Sequence, residues 1–447
     1  MKRIYRVVLI SLTALLGLIL FLVLQGDRVG VQVTAVIPAE GEQAGIYGPI
    51  GIQFSQPMDQ ALAESHFSLS PTVSGHFKWE ENILWFLPDS MLDPDQAYQL
   101  LLSAGVKSAN GRALLESQQW TVSIRKLDIL YLVPGDHGGD LWRWDMTHQI
   151  SQALTDTGGL LIDYAPSQTG EWIVYSFENE EGGTDLRLVN RDGTENKLLF
   201  SCGSDYCSQP DWSPDGKWIA YTRQIWDADS GSLQASRVWT VNVETTDTTP
   251  LYENDDALGQ MPSFSPDGQR LASYDTELHG IRVLDLETSK ETLIPTSQEE
   301  MGDWSADGER LLFIDLLPSA LEPEVMIYIA DLETETIVQA LGGNAEATSF
   351  SQPRISPDGN WITVALRPIN STTNKALWVL KIDGSEAVLV SNEPSANFSS
   401  YHWDPGGKFL LYQRFGSNLQ PSVWIWDMES GESQLLVNEA ARPQWLP

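Results

Sequence analysis

Beyond residue 125, short apolar runs alternate with polar turns on a period of roughly forty to fifty residues. Lys217-Trp218-Ile219-Ala220-Tyr221 reads as one strand, and 270–274, 310–314, 361–366 and 409–413 repeat it. Each follows one phrase: Trp212-Ser213-Pro214-Asp215-Gly216, Phe264-Ser265-Pro266-Asp267-Gly268, Trp304-Ser305-Ala306-Asp307-Gly308 and Ile355-Ser356-Pro357-Asp358-Gly359. A worn copy stands at Trp403-Asp404-Pro405-Gly406-Gly407, and 164–175 is a degraded one. Third strands follow at 237–243, 280–286, 326–332, 376–382 and 423–428. Such units cannot bury their apolar faces alone, so the period predicts the blades of an all-β propeller.

The earliest unit, with strands at 129–133 and 141–145, lacks a first strand. The end of the sequence provides one: Arg442-Pro443-Gln444-Trp445-Leu446-Pro447 echoes Gln209-Pro210-Asp211-Trp212-Ser213-Pro214. Pairing the two would close the ring through Trp445 and remove its strand edges. The count is then seven blades, with six as the alternative if the incomplete unit is not a blade.

The turn phrase is expected to be structural. Proline fixes φ, aspartate bonds its own backbone, and glycine takes the left-handed dihedrals. Asp215, Gly216, Asp267, Gly268, Asp307, Gly308, Asp358 and Gly359 are therefore read as hairpin devices rather than catalytic or metal-binding residues. Trp212, Trp304, Trp403 and Trp445 keep step with the repeat and are expected to pack between blades.

Residues 31–125 lack the phrase but contain about seven short strands punctuated by Pro57, Pro88, Pro94 and Asn110-Gly111, the pattern of a β-sandwich. Ahead of it, 7–24 is an unbroken apolar run preceded by Lys2, Arg3 and Arg6. Its length and flanking charge predict a single transmembrane signal anchor, with 1–6 cytoplasmic, 25–30 a linker and the rest extracytoplasmic. A cleaved signal peptide is the competing reading.

Two resemblances add to this. Ile37-Pro38-Ala39-Glu40-Gly41, Phe54-Ser55-Gln56-Pro57-Met58-Asp59, Phe86-Leu87-Pro88 and Asn110-Gly111-Arg112-Ala113-Leu114 resemble the bacterial Ig-like domain of surface-layer proteins. That likeness implies a non-catalytic spacer or adhesion module. The repeats of 127–447 resemble the Tol-associated, WD40-like propeller family of bacterial envelope proteins, which implies a link to transport or envelope integrity.

The net charge of −34, with 61 acidic against 27 basic residues, argues against nucleic-acid binding, which needs phosphate neutralisation. Self-repulsion that keeps the surface soluble explains it most simply, and attraction for cations or a basic partner is the other account. Cys202 and Cys207 are close enough in sequence to form a disulfide across a short loop outside the cytoplasm.

No nucleophile elbow and no paired-histidine zinc motif appears, and the six histidines (His66, His76, His137, His148, His279, His402) are scattered. Candidate binding loops surround Asp136 and His137, Asp227 and Asp229, and Asp255 and Asp256; 316–324 is another long connection. Asp227-Ala228-Asp229-Ser230-Gly231 spaces oxygens as a Ca2+ loop does, without the remaining ligands, so no cofactor is assigned. The leading expectation is a non-catalytic, membrane-anchored scaffold presenting the propeller to a protein or glycan of the cell envelope. The alternative is an envelope hydrolase or lyase acting on polysaccharide or peptide at the propeller axis.

Overall fold

Strands dominate because β-branched and aromatic residues alternate with polar ones over five to seven positions between turn residues. The computed structural model describes residues 15–16, 30–135, 137–252, 257–317, 324–340, 347–368, 374–393, 395–417 and 419–447. The chain divides into two units, Met1–Lys126 and Leu127–Pro447.

The first unit holds two four-stranded sheets. One contains Val33–Ile37, Ile50–Phe54, Ile83–Pro88 and Gly75–Glu80; the other contains Gln43–Ala44, Gln118–Ile124, Ala97–Leu102 and Phe67–Ser70. Their facing residues, including Ile52, Phe54, Leu84, Phe86 and Leu100, are almost fully buried. Asp59 caps the short helix Gln60–Ser65 by accepting the Leu62 N–H at 3.2 Å, and Gly111 turns the chain at a φ of +80°.

The expected transmembrane helix is corrected here. Among the described residues no helix is long and apolar enough to cross a membrane. The six residues of Gln60–Ser65 span about 9 Å, against about 30 Å of hydrocarbon. The apolar run 7–24 lies outside the described residues apart from Leu15 and Leu16. Among the described residues the fold class therefore includes no membrane-spanning helix, and the single-pass localisation and membrane partnership are not retained.

In the second unit, six consecutive groups of strands each form a four-stranded antiparallel ladder, from Leu161–Pro166 to Ser433–Asn438. A seventh joins the two ends of the unit: Ala441–Leu446 pairs antiparallel with Asp128–Pro134, which continues to Gly139–Asp145 and Ile150–Ala153. Gln444 faces Leu130 and Trp445 faces Ile129 across that ladder. Trp445 packs in a core cluster with Ile129, Tyr131 and Leu411. Similar clusters lie between successive sheets, as where Trp212 meets Val174 and Ile219.

Each turn phrase closes a hairpin. Ser213 donates its hydroxyl to Asp215, whose carboxylate also accepts the Lys217 N–H at 3.1 Å. Gly216 sits at a φ of +70°, with equal geometry at Gly268, Gly308 and Gly359. A side chain at that dihedral strains the backbone, so the repeat keeps glycine there.

Candidate functional site

In five of the second unit's ladders the first strand carries an irregularity beside the residue that faces the centre. Pairing slips between Ser208 and Asp211, and the same slip occurs at Gln260/Ser263, Ser351/Arg354, Ser399/His402 and Ala441/Gln444. Within each slip one residue takes a left-handed φ: Gln209 (+53°), Met261 (+54°), Gln352 (+49°), Ser400 (+46°) and Arg442 (+49°). None is glycine, so each bulge stores strain that the surrounding ladder must offset.

Side chains from the neighbouring sheet hold these bulges. Gln209 Oε1 accepts the Met261 N–H at 3.1 Å, Glu300 accepts that of Gln352 at 2.8 Å, and Gln352 accepts that of Ser400 at 3.4 Å. A second set of staples lies beside them. Asp211 accepts the Phe264 N–H at 2.7 Å, and Asp303 accepts the Ile355 N–H at 2.8 Å. The tryptophans complete the pattern: Trp212, Trp304 and Trp445 donate indole N–H to the carbonyls of Ala165, Ser263 and His402 in the preceding sheet.

The result is a central cavity of about 550 Å³ to which all seven inner strands contribute. One structurally equivalent position, just before the residue that opens each turn phrase or its counterpart, supplies Ala165, Asp211, Ser263, Asp303, Arg354, His402 and Gln444. Acidic residues lie on one arc, and Arg354, His402 and Gln444 on the next. Asp163 also lines the cavity and pairs with Arg442 at 2.5 Å.

Burial governs the charges here. It pushes the Asp211 carboxyl up to about 7, against the backbone N–H bonds of Phe264 and Trp212. It raises Asp303 as well, opposed by Arg354, whose guanidinium lies 3.5 Å from the Asp303 carboxylate. It also raises Glu300. Burial, reinforced by Arg354, lowers His402 to about 3, so its imidazole is neutral at physiological pH. Asp211 is thus a group in the cavity poised to exchange a proton near neutrality.

Of the loops singled out in the sequence, the described residues lie outside the cavity lining. Asp227 and Asp229 sit on the small hairpin of Trp226–Asp227 and Ser232–Leu233, where Asp227 accepts the Asp229 N–H at 2.9 Å. His137 is exposed beside Gly138, and Asp136, Asp255 and Asp256 lie outside the described residues, as does most of 316–324. Among the described residues no group of three or more His, Cys, Asp or Glu side chains is placed to hold a metal ion. Cys202 and Cys207 are joined in a disulfide, both buried.

Sequence reasoning did not single out Asp211, Asp303 or Arg354 as site residues. The available signal was one variable position inside an otherwise regular repeat. Regular neighbours maintain the blade, while a position pointing at the axis is released from that duty.

The bacterial Ig-like domain family matches residues 27–123. An uncharacterized protein of Agrobacterium fabrum is 24% identical over 264 residues, 55% of this chain and 83% of that protein. Among solved structures, the structural analysis of two prolyl endopeptidases provides a chain at TM-score 0.53 and 13% identity, covering 87% of this chain and 53% of that one. The β-propeller domain of the trilobed protease from Pyrococcus furiosus gives 0.49 at 12% identity, covering 76% and 91%. TolB from Acinetobacter baumannii gives 0.45 at 16%, covering 86% and 83%. At these identities the likeness shows the fold alone.

The non-catalytic scaffold expected from the sequence is corrected by these findings. Acids, a histidine and an arginine that are scattered along the chain share one cavity, and a fold of this kind occurs in prolyl endopeptidases, so the fold does not itself mark a non-catalytic scaffold. The chain carries an N-terminal bacterial Ig-like domain followed by a C-terminal all-β unit that resembles TolB and propeller-like folds.

Proposed function

We propose that the axial cavity is an active site at which the protein acts on a polysaccharide or peptide of the cell envelope, by hydrolysis or elimination. The observation that carries this reading is Asp211, a carboxyl pushed up to about 7 inside a cavity shared with Asp303, Arg354 and His402. A group near neutrality can give and take protons at the operating pH, the requirement for general acid–base work. Arg354 is the group suited to stabilise negative charge developing on the substrate, with Asp303 orienting it. Neutral His402 offers a hydrogen bond without adding charge.

The turn phrase supports placing the second unit with the Tol-associated repeat family, and the Cys202–Cys207 disulfide supports an oxidising, extracytoplasmic setting. The test is turnover by the purified full chain across a panel of envelope polysaccharides and peptides between pH 5 and 8. Asp211→Asn should lower the rate by about 10²-fold or more, and Asp229→Asn should leave it unchanged. Absence of turnover over the whole panel, or an Asp211→Asn protein as active as the parent, sinks the reading.

A further inference from the structure

The charges around the axial cavity do not balance locally. Asp163 has Arg442 as its partner, Asp303 has Arg354, and Glu300 lies in the fields of Arg354 and Lys375. Asp211 has none. One of its oxygens takes the Phe264 N–H, the chain supplies the Trp212 N–H, and among the described residues no cation lies within ion-pair reach. A carboxylate taken out of water without a counter-ion is costly, and a bound cation would remove that cost.

The walls beside Asp211 are suited to an aliphatic stem. Pro210, Pro262, Met261 and Met301 line the same cavity, and Met is the residue that adapts to irregular apolar shapes. The chain as a whole carries a net charge of −34, which steers cations towards it. From this geometry we infer that the axial cavity takes the basic side chain of a peptide, a lysine or arginine, with Asp211 as its counter-ion and Met261 and the prolines along its stem. This deepens the proposed function by choosing peptide over polysaccharide and rests on the same cavity; paired with the bound cation Asp211 is ionised, so it can act there as a base and not as the proton donor. The other charged or titratable groups lining that cavity are Asp163, Tyr164, Asp303, Arg354 and His402.

The experiment follows the methyl signals of 13C-labelled methionines in the full chain at physiological salt. The probes are a blocked lysine tripeptide, its acetyl-lysine counterpart and a neutral oligosaccharide. The lysine peptide should shift the Met261 and Met301 signals saturably, with little effect from the other two. Asp211→Asn should weaken binding by at least about tenfold, while Asp229→Asn should not. A second measurement needs no variant: at pH 6, binding to the parent protein should release protons, read from the dependence of its heat on buffer ionisation.

Equal response to the acetylated peptide, indifference to Asp211→Asn, or no proton release overturns the inference. So does a methionine response to the oligosaccharide alone. Lysine binding without turnover of any peptide would instead overturn the catalytic reading and leave the ligand assignment standing. Turnover of a neutral polysaccharide that the lysine peptide does not inhibit would do the reverse.

Discussion

The carboxyl of Asp211 accepts the backbone N–H of Phe264 at 2.7 Å, so one side chain both faces the central cavity and ties one sheet to the next. A protonated acid can keep that bond with one oxygen and offer its proton with the other. Structure and chemistry therefore meet at a single group.

Its titration has a signed consequence for stability. The folded value is about 7 and the ordinary one 3.8, so folding favours the protonated form. Unfolding then releases a proton, and the Asp211 contribution is fully present below the ordinary value. It is lost as pH rises through about 7. Asp211→Asn keeps an acceptor for Phe264 but cannot ionise. Urea denaturation should show the variant gaining on the parent protein by a few kcal/mol between pH 4 and pH 8. An unchanged difference across that range would refute the assignment.

Trp445 lies on the strand that pairs with Asp128–Pro134, is buried and donates to the His402 carbonyl at 3.0 Å. Trp445→Ala should cost about 3–5 kcal/mol, the usual loss for emptying a large core site. Deleting 442–447 should cost more, because it also exposes the edge of Asp128–Pro134. Chemical denaturation of both variants measures this. A tail deletion no worse than wild type would show that the pairing contributes nothing.

Two turn glycines separate backbone strain from crowding. Gly359 has a φ of +72° and open space where a Cβ would stand, so Gly359→Ala should cost about 1 kcal/mol from the dihedral alone. Gly308 has nearly the same φ, but a Cβ there would lie 2.7 Å from the Asp267 carboxyl of the neighbouring blade. Gly308→Ala should therefore be the more damaging by thermal melting. Equal losses would mean that the neighbouring carboxylate moves aside freely.

The Cys202–Cys207 bridge closes a loop with a sequence separation of 5. Chain entropy for so short a loop gives about 2 kcal/mol. Replacing both cysteines with serine should lower the melting temperature, and adding reductant should leave the double variant unaffected. Between the half-cystines, Asp205 pairs with Arg223 at 2.6 Å and accepts the Trp226 N–H at 2.9 Å. Faster amide exchange at Trp226 would report the local part of the loss.

What the sequence determined by itself was local. Ser213, Asp215 and Gly216 interact within four residues, so their turn is written in their order and recurs wherever the order does. The strand alternation and the Phe54-to-Asp59 motif of the Ig-like domain are local in the same way. The apolar run 7–24 was also local, yet hydropathy describes a stretch of chain without showing a spanning helix, and none is found among the described residues.

The site belonged to the tertiary structure. Asp211 and His402 are 191 positions apart by their numbers, and nothing in either segment signals the other. They share one cavity because each inner strand reaches a common axis, and on these two strands a bulge lies beside the residue concerned. Their shifted acidities come from burial, a property of the assembled cavity that no single segment possesses.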